Sequence, residues 1–397
     1  MTSRERIRAA LGHEQPDRIP VDLGATESSG IMGIAYNRLR NYLGINGRTQ
    51  IYDIGQMIAK VEEPVLDAVG ADAMALLFEP RCWKRWTMQD GSPCEIPAGL
   101  EIVERDGGWA IPREDGTPAA FCPGGGYYFD PVNPPLADAR SPEDIEAGIE
   151  HLASFDWPDY LDEDFNDLAA KARCLHEETD RFIVANLWVH VFAAGQILRG
   201  FSNFMIDLAA DKALAHHLMG RLVDCYRPRV ERYIEAVGDY VDIIQVNDDL
   251  GTQNGPQISP ELYREMVKPY HRRLWEMIKR LSGKPLLLHS CGSIYDVIPD
   301  LIEIGVDAIN PVQVSAKNMD GALLKREFGA DLTFWGGGCD TQSILGEGTP
   351  QQVRDEVRRR VDQFADGGGF VFCQVHNIQH NVPPENVMAM YEALGEL

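Results

Sequence analysis

His289 and Cys291 stand one residue apart, at the point where the apolar run of LLLHSCGSI (286–294) gives out. Imidazole and thiolate are both ligands for zinc. Cys373 ends a second apolar run, GGFVFC. One nitrogen and two sulfurs fill three zinc positions and leave a fourth for water or substrate, which is what separates a catalytic zinc from a structural one. The same residues read equally well as a satisfied core histidine beside buried thiols, since an H-x-C spacing recurs by chance. Cys339, in WGGGCDTQ, is the rival third sulfur. Its glycine-rich approach either lets the backbone come close to a ligand or simply makes a turn. Cys373 is preferred because it abuts the end of an apolar strand.

Asp248 and Asp249, in VNDDLGTQ, are the candidates for acid–base work or for orienting substrate. Adjacent strand residues point to opposite faces, so one of the two is expected to face the site and the other to cap a helix or pair with a cation. Further polar residues near the ends of apolar runs are candidate substrate contacts: Asp22, Glu27, Asn186, His190, Gln253, Gln313, His376 and Asn377.

Such scattered residues need a frame that brings them together. Eight short apolar runs supply one, near 18–24, 71–78, 181–190, 241–249, 284–292, 306–313, 331–338 and 368–377. None alternates, which is how strands buried on both faces read. Helical patterns lie between them, including 259–281 with Ser259 and Pro260 at its start, 294–305, 349–365, and a closing PPENVMAMYEALGEL. Strict alternation of strand and helix implies parallel pairing. Eight strands favour an α/β fold of the closed (β/α)8 (TIM) barrel type over an open doubly wound sheet. The whole chain, 1–397, is then one domain, and chemistry is expected at the carboxyl ends of the strands. Residues 79–135 break the rhythm. Short extended runs between Asp-Gly turns predict a β-meander inserted after the second strand. No G-x-G-x-x-G or Walker motif occurs.

The 397 residues carry a formal net charge of -24, which argues against a nucleic acid partner. No apolar run approaches the ~20 residues needed to span a bilayer. The start, MTSRERIRAALGHEQPDRIP, reads as a helix capped by Ser3 and has no apolar leader core, so a cytoplasmic protein is expected. Eight cysteines in a chain of this length are expected to be free thiols and not a disulfide framework.

RERIRAALGHEQPDRIPV, HSCGSIYDVIPDLIEIGVDAINPVQ, GGGCDTQ and VPPENVMAMYEAL together resemble the uroporphyrinogen decarboxylase superfamily over nearly the whole chain. The resemblance implies the (β/α)8 barrel. It leaves two activities: decarboxylation, and cobalamin-dependent methyl transfer between a corrinoid and an acceptor, often a thiol such as coenzyme M. True decarboxylases carry a first-strand motif of the type W-M-R-Q-A-G-R-Y, whose arginines hold the substrate carboxylates. The matching stretch VDLGATESSGIMGIAY has no arginine and offers Asp22 and Glu27 instead, which a polyanionic porphyrinogen would meet unfavourably. The methyltransferase branch resembles H-x-C followed by a distant cysteine in the last strand. That pattern places His289, Cys291 and Cys373 around Zn2+, although QVHNIQ after Cys373 departs from the glycine-rich loop of that branch. The reading is a zinc-dependent methyltransferase that works with a corrinoid (cobalamin) protein as partner and a small-molecule methyl acceptor, a homodimer being left open. The alternatives are a metal-free decarboxylase or lyase of a small acid and a barrel that binds a tetrapyrrole or corrinoid without turnover.

Overall fold

Each of the eight apolar runs contributes an extended segment to one cylinder. The computed structural model describes residues 1–154 and 161–396. Seven strands form an all-parallel sheet in the order Phe370–Val371, Thr333–Trp335, Ala308–Asn310, Leu286–His289, Ile243–Asn247, Phe182–Asn186 and Ala73–Leu76. Residues 20–22 shut the gap between its two edges. The Asp22 N–H donates to the Phe372 carbonyl at 2.8 Å and the Phe372 N–H to the Pro20 carbonyl at 2.8 Å, while on the other side the Asp72 N–H donates to the Val21 carbonyl at 2.7 Å. With 20–22 as first strand the sheet closes into a (β/α)8 barrel and keeps no open edge. Only the Val21–Phe372 bridge marks it as extended pairing, so it is the shortest of the eight.

The continuous apolar runs conceal a period of two. Val184, Ile243, Leu287, Ala308, Trp335, Val371 and Cys373 belong to one buried cluster, the inside of the barrel. Their neighbours Ile183, Ile244, Leu286, Leu288, Ile309, Phe334 and Phe372 belong to another, under the surrounding helices. Both faces of each strand are therefore apolar, and alternation is invisible in the sequence.

Helix Ser3–Leu11 plugs the amino-terminal end of the barrel, with Ile7 and Ala10 inside the inner cluster. Its cap is Thr2, one residue before the expected Ser3, in a capping box with Glu5. Ser3 instead donates its hydroxyl to Asp72 at 2.6 Å. Asp72, fully buried, also pairs with Arg6 at 2.6 Å and Arg18 at 2.7 Å. The expected helix 259–281 forms, with an interruption: Pro260–Leu262 leads into a π-turn, Tyr263–Val267, before Lys268–Ser282. Pro269 has no N–H to donate back along the helix, and the turn ahead of it widens.

The insertion is antiparallel, as expected. Trp83–Thr87 pairs with Pro93–Pro97, and Val103–Arg105, Gly108–Pro112, Pro118–Cys122 and Asp130–Pro131 form a four-stranded meander. A further three-stranded sheet, of Ile31–Met32, Ile51–Asp53 and Ile58–Ala59, went unanticipated. Ile31 bridges Ile378 beyond the last strand, so this sheet leans over the carboxyl end of the barrel. Among the described residues no helix is long and apolar enough to cross a membrane.

Candidate metal centre and barrel mouth

His289 is the last residue of the fifth strand, level with Asn247 on the fourth and Asn310 on the sixth. Beyond it the chain is clamped. The Gly251 N–H donates to the Cys291 carbonyl at 3.1 Å and the Ser293 N–H to the Thr252 carbonyl at 2.7 Å. Two glycines permit this approach. A Cβ on Gly292, whose φ is +85°, would stand 2.5 Å from the Gly251 carbonyl carbon, and one on Gly251 would stand 2.5 Å from the Cys291 oxygen. The Cys291 N–H donates to the Asp249 carboxylate at 2.8 Å and the Gly292 N–H to Gln313 Oε1 at 2.8 Å. Gln313 in turn donates to Gln253 Oε1 at 3.0 Å.

Among the described residues, ligand atoms of His289, Cys291 and His376 converge, all within 4.8 Å of one another. Cys291 Sγ lies 3.6 Å from His289 Nε2, and the two imidazoles meet edge to face with centroids 6.0 Å apart. A tetrahedral zinc with Zn–N of about 2.0 Å and Zn–S of about 2.3 Å sets an N···S separation of about 3.5 Å, so the pair fits the ion. Asp249 Oδ1 is 3.5 Å from His289 Nε2. Burial first, then the Asp249 charge, pushes the Cys291 thiol well above its ordinary range. Burial, then the neighbouring His289, holds His376 down at about 4. The set thus offers a neutral imidazole lone pair, and a thiol that only a cation would strip of its proton.

The third side chain of the converging set is therefore an imidazole, three residues past the expected sulfur. Cys373 lies fully buried in the inner apolar cluster, its Sγ 3.8 Å from Asn310 Nδ2. Asn310 Oδ1 is 3.5 Å from His289 Nδ1, so this carboxamide stands between the two. Cys339, also buried, is outside the convergent set. The last strand points Cys373 inward below the mouth, and the loop that follows carries His376 back over it. The available signal was the histidine in QVHNIQ, assigned in the sequence only to substrate.

Asp248 does not face the site. Its carboxylate accepts the N–H groups of Val191 and Phe192 at 2.7 Å each and of Ala193 at 2.6 Å, and meets His271 Nε2 at 2.8 Å. It caps helix Phe192–Arg199. Burial works to raise its pKa, but the His271 hydrogen bond and charge hold it below the ordinary carboxylate range. The carboxylate of Asp248, expected to be catalytic, is thus taken up by capping contacts, and Asp249 is the aspartate that lies beside His289 and Cys291.

Gln253 donates to the Ser315 carbonyl at 2.6 Å and accepts from Gln313, whose own oxygen holds the Gly292 N–H, so both amides tie rim loops together. Asn377, buried, donates to Gln56 at 2.8 Å. His190 sits near Asp248, whose ionised form its charge favours. Asp22 points into the barrel, where it accepts from Trp335 Nε1 at 2.8 Å and the Ala25 N–H at 2.9 Å, and burial lifts its pKa to about 6. Glu27 accepts from the Trp188 indole and from Gln245 Nε2 at 3.2 Å. Asn186 donates to the Ala25 carbonyl at 3.0 Å. Sequence reasoning missed Tyr52, Asp53 and Gln245. Burial, then Glu27, lifts Asp53 to about 7.

The uroporphyrinogen decarboxylase (URO-D) family profile matches residues 182–397. A uroporphyrinogen decarboxylase of Chlorobaculum tepidum is 25% identical over 186 residues, 46% of this chain and 49% of that protein. A methylated-thiol–coenzyme M methyltransferase of Methanosarcina mazei is 31% identical over 139 residues, 35% of this chain and 34% of that protein. The chain spans about half the length, or less, of these curated relatives. A solved methyltransferase from Methanosarcina mazei superimposes with a TM-score of 0.63 at 17% identity, covering 100% of this chain and 99% of the other, which establishes the shared fold.

Proposed function

This chain belongs to the uroporphyrinogen decarboxylase family, and from that premise we propose that it is a methyltransferase, moving a methyl group between a corrinoid carried on a separate protein and a thiol or similar acceptor, with zinc held by His289, Cys291 and His376. The observation that carries the reading is the convergence of those three side chains at the carboxyl end of the barrel, with an N···S spacing that suits a tetrahedral ion. When bound, zinc supplies a charge that favours the thiolate of an acceptor at neutral pH. The remainder is positional. Asp249 holds the Cys291 backbone N–H from beside the ligand atoms, while Asn310 Oδ1, 3.5 Å from His289 Nδ1, faces the ring nitrogen that looks away from Cys291, where the partner behind a metal ligand belongs. Gln313 and Gln253 tie the loops after the fourth, fifth and sixth strands into one rim. A rigid rim holds the reactants in line and keeps water away.

Decarboxylation of a polyanionic porphyrinogen fits the mouth less well. The charges of Asp22, Glu27 and Asp53 all act on the Tyr52 hydroxyl, and the described hydrogen-bond partners of the three are neutral.

Elemental analysis of protein purified without chelator tests the reading. About one zinc per chain is expected in the wild type and in Cys373→Ser, with loss of metal in Cys291→Ser and His376→Ala. Wild-type protein that stays metal-free after incubation with zinc defeats the proposal. So does loss of metal from Cys373→Ser with retention in His376→Ala. With metal present, demethylation of free methylcobalamin by added thiol, followed by absorbance, checks the transfer itself.

A further inference from the structure

Several buried carboxylates elsewhere in this chain have cations to answer them. Asp72 pairs with Arg6 and Arg18, Asp242 with Arg4 and Arg8, Asp207 with Arg199, and Asp300 with Lys268. Glu27 at the barrel mouth differs. It is 8% exposed, its described contacts are the neutral donors Trp188 and Gln245, and it lies close enough to Asp53 for its charge to disfavour that of Asp53. Burying such a group without a counter-charge is costly.

A second, independent feature surrounds it. Tyr52 Oη, Gln245 Oε1, Asn186 Oδ1 and Ser28 Oγ, all in side chains nine-tenths or more buried, lack hydrogen-bond partners. They share the neighbourhood of Glu27. The same Gln245 amide donates to Glu27, Asn186 is level with Gln245 on the adjacent strand, and the charges of Glu27, Asp53 and Asp22 all act on the Tyr52 hydroxyl. In a folded protein most such groups are satisfied, so two unmet carboxamide oxygens and two unmet hydroxyls around one carboxylate call for a polar partner from outside the chain. The cluster also connects to the metal-ligating set. Gln245 Nε2 donates to Asn247 Oδ1 at 2.8 Å, and Asn247 is level with His289.

We propose that Glu27, Asp53, Tyr52, Gln245 and Asn186 form a subsite for a protonated amine: the small-molecule substrate carries an ammonium group that sits between the first, third and fourth strands while its reacting end lies at His289, Cys291 and His376. An ammonium supplies the missing charge and the missing donors at once, and charge-assisted bonds to carboxylates are the stronger kind. A bare metal ion matches the cluster less well. Among the described residues its oxygens do not join a convergent group of three ligand atoms as the His289 set does. The placement of the reacting end rests on the methyltransferase reading; the amine subsite itself does not.

Calorimetric titration with three thiols of equal length separates the two. The probes are 2-aminoethanethiol, 2-mercaptoethanol and 2-mercaptoacetate, run beside thiol-free propylamine and against wild type, Glu27→Gln and Asp53→Asn, with zinc content measured in parallel. The aminothiol is expected to bind about tenfold or more tighter than the neutral thiol, and the mercaptoacetate weakest. Both variants are expected to lose that preference while keeping the wild-type zinc content. Equal or reversed preference in the wild type overturns the subsite, as do unchanged preference in both folded variants and failure of every amine to bind. A metal-free wild type that still binds propylamine in a Glu27-dependent way keeps the subsite and removes the metal reading instead.

Discussion

Neighbouring acids in this chain have opposite fates because of what faces them. Asp248 and Asp249 follow one another, yet one is bound into three backbone N–H groups and His271 while the other faces the ligand set. That division was legible in the sequence, since strand residues alternate between faces. Which sulfur or nitrogen would complete the ligand set was not legible. Residue type and strand end select inward-pointing groups, but not how deep in the cylinder each one sits. Cys373 lies a layer too low and His376 returns from a loop. Asp22 shows the same depth effect as a titration. Its pKa rises from 3.8 to about 6 on folding, burial being the main cause. Between about pH 4 and 6 the folded state therefore keeps a proton that the unfolded chain has given up, so this group's contribution to stability falls as pH rises through that window. The loss amounts to about 3 kcal/mol. Urea denaturation of wild type and Asp22→Asn across pH 4–7 should show the wild-type curve falling relative to the variant by about that much. Parallel curves would mean that Asp22 is not held protonated by the fold.

The elements most legible in the sequence were those whose signals are local. Ser259-Pro260 and Thr349-Pro350 open helices where expected, and the side chain of each cap accepts an N–H. The sheet of Ile31–Met32, Ile51–Asp53 and Ile58–Ala59 was not legible, because two or three residues carry no period. Yet it brings Tyr52 and Asp53 to the mouth. Helix Phe192–Arg199 depends on a residue far away in sequence. Its first N–H groups have no polar side chain of their own at the cap, and Asp248 supplies the acceptor from the next strand's loop. Asp248→Ala would strand those donors together with His271, which is fully buried. A cost of about 3–5 kcal/mol is expected, the usual penalty for removing one partner of a buried charged pair. The readout is the midpoint of chemical denaturation. Zinc content of the folded fraction should hold at the wild-type level, whereas a coupled loss of metal would place Asp248 within the ligand machinery after all.

At the scale of the whole molecule, the barrel has a stabilising end and a chemical end. The number and order of strands were legible because buried parallel strands leave unbroken apolar runs. The closure through residues 20–22 was foreseen only as one more run, and the plug at the opposite end was read simply as a capped helix. Ile7, fully buried, completes the inner cluster from below with Ala10, alongside Phe182, Ile243 and Trp335. Gly369 N–H donates to the Ala10 carbonyl at 2.9 Å, and the Arg4 N–H to the Asp180 carbonyl at 2.8 Å, so the helix is tied to the amino ends of two barrel strands. Truncating Ile7 leaves a void that a closed cylinder cannot collapse to fill. Ile7→Ala should therefore cost about 2–5 kcal/mol, seen as a lower denaturation midpoint with an unchanged slope. The proposed metal ligands sit at the carboxyl ends of the strands, so zinc affinity in the folded variant should match the wild type. If affinity fell along with stability, the two ends would be one cooperative unit, and the division between a plug that stabilises and a mouth that reacts would have to be given up.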